Sequence, residues 1–424
     1  ELVTGIDLIF PNVDTDPYDN DLNSEVQKVL DDEFGAENYD IGHLFAYARS
    51  GGNGNAGSVG NVCQNGIKGG AFSANSFQGT ANDPFLNDHF DIDYVTHEMG
   101  HQFGAYHTFS HQNEFEGFNS EPGSGSTIMG YAGIVGFDNV QFHSDPYFHY
   151  NSIHNINEYI DLKSCYLSAT NENQIPTVSA DRDYTLPIGT AYELKATGSD
   201  PDGDTLYYCW EQLDSGQVDA SNFGPYNHLG AQARSLPPSV SPIRTVPQMD
   251  AVLEGNLTME NPQTGGQWET VSLVDRTMTW AVTARDRYPA SAGARGRMAF
   301  DIKALKIISD AGPFKVSSQN QEGILWEAGS KQTLTWEVAQ TDQAPINTKF
   351  VSVFLSTDGG DTFETPLLSS TPNDGVELIT VPGGITSDQI RIKIVPENSI
   401  YFAVNANDIE ITPAPFVLTF DRFE

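Results

Sequence analysis

The stretch HEMGHQFGAYH, residues 97–107, decides the fold of the N-terminal part of this chain. On a helix, His97 and His101 are four residues apart, so they lie one turn above each other on the same face. Gly104 can adopt the positive φ that ends a helix and turns the chain back. His107 can then approach the other two imidazoles from outside the helix. The spacing therefore predicts three imidazoles that converge on one point.

Three converging imidazoles are a ligand set for zinc, because three neutral histidines leave a tetrahedral ion one open position for water. We therefore predict zinc ligands at His97, His101 and His107. Glu98 follows the first ligand and can take a proton from the water, whose pKa zinc lowers to about 7. It is predicted as the general base of amide hydrolysis. The alternative is an ordinary amphipathic helix, which the added Gly104 and His107 disfavour.

A second segment, GSTIMGY at residues 125–131, adds a methionine and a tyrosine. Together the two segments resemble the metzincin clan of zinc endopeptidases, whose signature is HExxHxxGxxH followed by a methionine turn. The resemblance implies that Met129 forms the hydrophobic floor beneath the histidines. It also implies that Tyr131, as in astacins and serralysins, ligates zinc or stabilises the oxyanion. A plain packing role remains the alternative for both side chains.

Within the clan, the chain is most similar to secreted bacterial reprolysin-like metallopeptidases that carry C-terminal immunoglobulin-like domains. The similarity rests on the zinc helix, on YDIGH at residues 39–43, on DIDYV at residues 91–95 and on repeated β segments downstream. It implies a secreted, extracellular enzyme that cleaves protein or peptide substrates. Thr108 departs from the pattern, since typical adamalysins carry Asp after the third ligand, and HTF at residues 107–109 is also similar to pappalysins.

The length of 424 residues predicts about three domains. The resemblance implies an α+β metzincin-like catalytic domain, with a mixed sheet and the active-site helix, followed by two all-β immunoglobulin-like sandwiches. Changes in composition place the catalytic domain at 1–168, a linker at 169–176, the sandwiches at 177–309 and 310–412, and a tail at 413–424. Residues 217–267 are rich in Gly, Pro, Ser and Asn and are predicted as a long excursion of the first sandwich.

The N-terminal region carries three further local predictions. Residues 2–10 are predicted as an inner strand and residues 23–34 as a helix, so the resemblance implies that the first strand and backing helix of the catalytic domain are missing from this sequence. Asp91 or Asp93 is predicted to cap the zinc helix. Residues 69–72 are predicted to continue an edge strand that pairs with an extended substrate, with a plain surface strand as the alternative.

The charge of the chain argues against nucleic acid as a partner. Its 57 acidic residues against 21 basic ones give a net charge of -36, which suits a solvated exterior. No apolar run approaches the roughly 20 residues of a membrane span. The sequence therefore predicts neither nucleic-acid binding nor a membrane span.

Three cysteines allow one disulfide. We predict a bridge between Cys63 and Cys165, because both lie in the proposed catalytic domain and a bridge would tie its C-terminal helix to its sheet. Cys209 lies between apolar neighbours and is predicted as a buried core residue.

The first sandwich contains a candidate calcium loop, SDPDGDTL at residues 199–206. Asp200, Asp202 and Asp204 place three carboxylates at alternate positions, and Gly203 allows a tight bend. Oxygen-rich loops of this kind suit calcium, but the bidentate Glu of an EF-hand is missing. Calcium binding and a plain acidic turn are therefore both kept as predictions for this loop.

The sequence supports functions of different classes. The first is a secreted zinc endopeptidase with two accessory β-domains. The alternative is an adhesive or glycan-binding surface protein in which a protease-like domain serves as scaffold. A calcium-dependent structural module is a third hypothesis. The first is favoured because Glu98 and all three histidines are present together. In a protein that has lost the activity, the loss of any one of these residues would be enough to inactivate the site.

Overall fold

The computed structural model describes residues 8–12, 14–48, 52–75, 87–114, 117–166, 171–287 and 295–414. The N-terminal domain combines a small mixed sheet with helices. Its elements are α1 Leu22–Phe34, β1 Leu44–Tyr47, β2 Gly52–Asn55, β3 Phe72–Asn75, a π-helix Phe90–Thr96, α2 His97–Gln102, a 3-10 turn Gly136–Asp138 and α3 Tyr150–Asp161.

The helix predicted at residues 23–34 is confirmed as α1. It begins where the side chain of Asp21 accepts a hydrogen bond from the backbone N of Ser24, and it ends at Gly35, whose φ is 79°. The strand predicted at residues 2–10 is wrong for residues 8–10, which form no strand, and residues 2–7 lie outside the described residues.

The sheet of the N-terminal domain has the strand order β1-β3-β2. β1 runs parallel to β3, whereas β2 runs antiparallel to it. The prediction that residues 69–72 form an edge strand is therefore wrong, because β3 begins at Phe72 and occupies the centre of the sheet. The edge strands are β1 and β2, and the GNGN sequence of β2 has no hydrophobic alternation from which a strand could be predicted.

A disulfide closes the N-terminal domain. The predicted bridge between Cys63 and Cys165 is confirmed, with 5.9 Å between the Cα atoms. It ties the segment after α3 to the loop between β2 and β3. Cys209 is a free, buried cysteine in the first sandwich, as predicted.

The first sandwich is built around buried tryptophans, among them Trp210 and Trp280. A four-stranded sheet has the order β5-β11-β10-β8, and the pairs β4-β7 and β6-β9 complete the fold. The elements are β4 Thr177–Ser179, β5 Tyr184–Pro187, β6 Tyr192–Lys195, β7 Thr197–Ser199, β8 Tyr207–Gln212, β9 Ile243–Val246, α4 Met249–Leu253, β10 Arg276–Arg285 and β11 Met298–Ile308.

The second sandwich packs one sheet of order β12-β14-β17 against another of order β13-β20-β18-β15-β16, with β19 paired to β18. Its strands are β12 Lys315–Val316, β13 Ile324–Glu327, β14 Lys331–Glu337, β15 Phe350–Ser356, β16 Thr365–Pro372, β17 Val376–Thr380, β18 Ser387–Pro396, β19 Ala403–Val404 and β20 Ile409–Thr412. The predicted class, an α+β domain followed by two all-β sandwiches, is confirmed. The domain boundaries stay predictions.

The excursion predicted at residues 217–267 packs against the N-terminal domain. Its Val218 donates a backbone hydrogen bond to Ser110 (2.8 Å) and accepts one from Gly123 (2.7 Å). Val218 and the adjoining Trp268 share a buried apolar cluster with Val140. Gly123 and Val140 lie on either side of residues 125–131 in the chain. The first sandwich therefore packs directly beside this segment, which contains Met129.

None of the helices in the described ranges combines the length and the apolar character that a membrane span requires.

Candidate active site

The zinc helix is short and begins at its first predicted ligand. α2 starts at His97, directly after the π-helix, and its N-terminus carries no side-chain cap. The prediction that Asp91 or Asp93 caps this helix is wrong, because both lie inside the π-helix Phe90–Thr96, which runs directly into α2. Asp93 instead accepts a hydrogen bond from the backbone N of Ser144 at 2.7 Å.

Gly104 turns the chain after α2 as predicted. Its φ is 103°, and a Cβ there would lie 2.7 Å from Cβ of Tyr159, so both the backbone and the packing require glycine. The turn brings the ring of His107 to 4.5 Å from the ring of His101. Potential ligand atoms of His97, His101 and His107 lie within 4.8 Å of one another.

All three imidazoles are held by their Nδ1 atoms. The Nδ1 of His97 lies 2.6 Å from the carbonyl O of Ile128, and that of His101 lies 2.8 Å from the carbonyl O of Ala105. The Nδ1 of His107 lies 2.7 Å from a carboxylate O of Glu114. A carbonyl can only accept, so Nδ1 donates and Nε2 keeps its lone pair for a metal. The residues present therefore fit a zinc ion.

Burial keeps the first two imidazoles neutral. It lowers the pKa of His97 well below its ordinary value, and charges on His101 and His107 lower it further. Burial, followed by the charge of His107, lowers the pKa of His101 to about 4. Neutral imidazole is the form that binds a metal, so neither ligand needs to lose a proton at neutral pH.

Glu98 lies beside the imidazoles, packed against the edge strand. A Cβ on Gly54 of β2 would lie 2.5 Å from its carboxylate Oε1, so glycine at this position makes room for the carboxylate. Burial raises the pKa of Glu98 to about 7, although a hydrogen bond from the backbone of Ala56 lowers it. A carboxylate with increased proton affinity is suited to general-base work.

Met129 and Tyr131 both lie at the histidines. Met129 is fully buried, and a Cβ on Gly100 of α2 would lie 2.5 Å from its Sδ. The ring of Tyr131 lies 4.5 Å from the ring of His107. Burial, and then the charges of Glu114 and Glu98, raise the pKa of Tyr131 to about 12. Its hydroxyl therefore keeps its proton and is available as a hydrogen-bond donor.

The site lies where two clefts meet. One, of about 620 Å³, is lined by β2, His97, Glu98, Tyr131 and the segment 132–134. The other, of about 550 Å³, lies towards His101 and Glu114. Together they form a passage along β2 that runs past the histidines. Glu114 and Gly54 were not predicted from the sequence, because neither lies at a spacing that connects it to the ligands.

The predicted calcium loop already has protein partners. Oxygen atoms of Asp200, Asp202 and Asp204 lie within 4.8 Å of one another. Asp202 accepts hydrogen bonds from the backbone N and the side chain of Gln174 at 2.7 and 2.9 Å. Asp204 forms an ion pair of 2.8 Å with Arg287. Arg287 thus offsets part of the negative charge of the loop.

Residues 2–160 match the model of the family described as "Metallo-peptidase family M12B Reprolysin-like". A comparison with curated proteins finds no match.

Solved structures similar to this chain contain immunoglobulin domains. The N-terminal four Ig domains of Dscam1 isoform 1.9 cover 57% of this chain at 11% identity and a TM-score of 0.17, and about half of that structure, 47%, is matched. Domains 1–4 of Sidekick-1 cover 58% at 12% identity and a TM-score of 0.16, with 51% of that chain matched. Scores this low do not establish a shared domain arrangement.

Proposed function

We infer from residues 2–160, which match the family model of the reprolysin-like metallopeptidases of family M12B, that the chain is a secreted zinc-dependent endopeptidase. The proposal rests on one observation above all. Each of three imidazoles turns its Nδ1 to a protein acceptor, and potential ligand atoms of the three rings lie within 4.8 Å of one another. When bound there, zinc supplies a Lewis acid that polarises water and the scissile carbonyl.

Glu98 is the group that moves the proton. Its carboxylate takes a proton from the attacking water, and the water oxygen forms the new bond to the carbonyl carbon. The proton then passes to the amide nitrogen, whose bond to carbon breaks, and an amine and a carboxylic acid leave. The packing of Glu98 against Gly54 holds the carboxylate in one place for both transfers.

Tyr131 stabilises the carbonyl oxygen as it becomes negative. Burial raises the pKa of Tyr131 to about 12, so the phenol holds its proton and can donate a hydrogen bond to that oxygen. Of the two roles that the resemblance implies for this residue, the proposal therefore takes the oxyanion donor.

An extended polypeptide suits the passage along β2. In the described residues this strand pairs only with β3, so its other edge can bind the backbone of a substrate. The GNGN sequence of β2 leaves that edge free of bulky side chains. Protein or peptide substrates are therefore proposed.

We expect Tyr131→Phe to lower kcat by about 10²- to 10³-fold, with a much smaller change in KM, because a donor to the developing oxyanion acts mainly in the transition state. Steady-state cleavage of a fluorogenic peptide measures both constants. Tyr166→Phe, at a half-exposed tyrosine after α3, is the matched control. An unchanged kcat in Tyr131→Phe would leave this tyrosine with a packing role.

Secretion is proposed from the family and is supported by the disulfide. The bridge between Cys63 and Cys165 is of a kind that persists in oxidising compartments. The acidic net charge of -36 is compatible with an extracellular, solvated surface.

Calcium at Asp200, Asp202 and Asp204 stays a separate prediction. If the ion binds, calcium should raise the melting temperature of the first sandwich by mass action on the folded state. Calorimetry of the full-length protein with and without calcium measures this shift. Identical melting curves would make the loop an ordinary acidic turn, whose charge is offset by Arg287 and Gln174.

Digestion of casein by the purified full-length protein tests the proposed function. We expect cleavage that a chelator abolishes and added zinc restores. A protein that binds zinc and cleaves neither casein nor gelatin would instead favour the adhesive or glycan-binding alternative, in which the N-terminal domain serves as scaffold.

A further inference from the structure

A buried carboxylate lies beneath the active site and has no role in the reaction described above. Glu121 is only 1% exposed. Its Oε2 accepts hydrogen bonds from the hydroxyls of Thr108 and Thr127, both at 2.6 Å. Its Oε1 accepts from the backbone N of Ser126 (3.1 Å), the hydroxyl of Ser126 (3.4 Å) and the backbone N of Thr127 (3.3 Å). All five donors come from two segments of chain.

The first of these segments carries the third ligand. Thr108 directly follows His107, and its backbone N donates to the carbonyl O of Met129 at 3.1 Å. Its carbonyl O accepts from the backbone N of Glu121 at 2.9 Å. Thr108 is therefore held at three atoms, two of them by Glu121. A rotation of this residue would move the imidazole next to it.

The second segment leads to the first ligand. Ser126 and Thr127 directly precede Ile128, whose carbonyl O lies 2.6 Å from the Nδ1 of His97. The hydrogen bonds of Glu121 fix the peptide units just before that carbonyl. A single carboxylate thus connects the segments that orient His97 and His107.

The surroundings of Glu121 are shaped for an ionised carboxylate. Burial alone would raise the pKa of Glu121, but the charge of His149 and the hydrogen bonds from Thr108, Thr127 and Ser126 lower it below its ordinary value. Gly125 has a φ of 67°, and a Cβ there would lie 3.0 Å from the Glu121 Oε2. The turn at Gly125 therefore closes around the carboxylate.

We propose that Glu121 is a positioning residue of the active site, which orients His107 through Thr108 and His97 through the methionine turn. This inference rests on the proposed zinc-peptidase function. It also accounts for Thr108, which stands where typical adamalysins carry Asp. The acidic group is supplied from Glu121, and Thr108 connects it to the ligand segment.

Glu121→Gln in the full-length protein tests the proposal. The amide replaces one carboxylate oxygen with an N–H donor that faces groups donating in this structure, so both ligand segments should lose hydrogen bonds that hold them in position. We expect the zinc Kd, measured by competition with a chromophoric chelator, to rise about 10- to 100-fold. We also expect kcat to fall with little change in KM. If Glu121 only stabilised the fold, Glu121→Gln would lower the folding stability and leave the zinc Kd unchanged.

Glu193→Gln is the matched control. Glu193 is also a buried glutamate, but it pairs with Lys393 between the two sandwiches. Its replacement should lower the melting temperature and leave the zinc Kd unchanged. A folded Glu121→Gln protein with wild-type zinc Kd and wild-type kcat overturns the proposal. A wild-type protein that binds no zinc contradicts the proposed function itself, and this inference with it.

A second variant decides the matter if Glu121→Gln does not fold. Thr108→Val removes one hydroxyl donor and keeps the shape of the side chain. We expect a weaker zinc affinity and a lower kcat, because the variant loses the hydrogen bond from Thr108, next to His107, to Glu121. Thr283→Val is its control, since the buried hydroxyl of Thr283 has no hydrogen-bond partner among the described residues. If Thr108→Val matches wild type in both measurements, the proposal is wrong.

Discussion

Glu98→Gln should retain zinc and lose about 10²- to 10⁴-fold in kcat, because the amide keeps the size of the side chain and cannot accept the proton of the attacking water. Its place against Gly54 suits an isosteric replacement, since no other atom needs to move. Cleavage of a fluorogenic peptide gives kcat, and elemental analysis of the same sample gives zinc occupancy.

The matched control is Glu158→Gln, at an exposed glutamate on α3. It should behave as wild type in both measurements. Near-normal turnover in a zinc-loaded Glu98→Gln protein would remove this residue from the reaction.

His101→Ala should abolish both zinc binding and turnover. The replacement removes one of three converging imidazoles. The two that remain are fewer than the three protein ligands that a catalytic zinc site uses. Elemental analysis after dialysis measures the zinc content, which we expect to fall from one ion per chain to near zero.

His154→Ala is the control for this variant, since His154 lies partly exposed on α3. It should keep full zinc content and activity. Full zinc occupancy in His101→Ala would mean that the zinc is bound elsewhere in the protein.

Much of the candidate site could be predicted because it depends on local spacing. His97 and His101 share a helix face by geometry alone, and Gly104 signals the turn that brings His107 back. The helix α1 could be predicted for the same reason, from its local periodicity. The disulfide could be predicted because Cys63 and Cys165 both lie in the proposed catalytic domain, where a bridge could tie its C-terminal helix to its sheet.

The errors arose where tertiary contacts override local signals. An aspartate before a helix usually caps it, yet Asp91 and Asp93 continue a π-helix into the zinc helix. β2 is a strand although its GNGN sequence has no strand propensity, because it pairs with β3 and packs against Glu98.

Contacts over long sequence separations could not be predicted at all. The docking of Val218 between Ser110 and Gly123 joins residues about one hundred positions apart. Glu114 and Glu121 carry no spacing rule that connects them to the ligands. Both became visible only through the hydrogen bonds of His107 and Thr108.

A zinc titration of the metal-free protein tests whether zinc at the three histidines is required for peptide cleavage. Peptide-cleaving activity is measured at each step against the zinc bound per chain. We expect no activity without zinc, a linear rise with occupancy, and a plateau at one zinc per chain. Full activity in the metal-free protein, or a fully zinc-loaded protein without activity, would contradict this expectation.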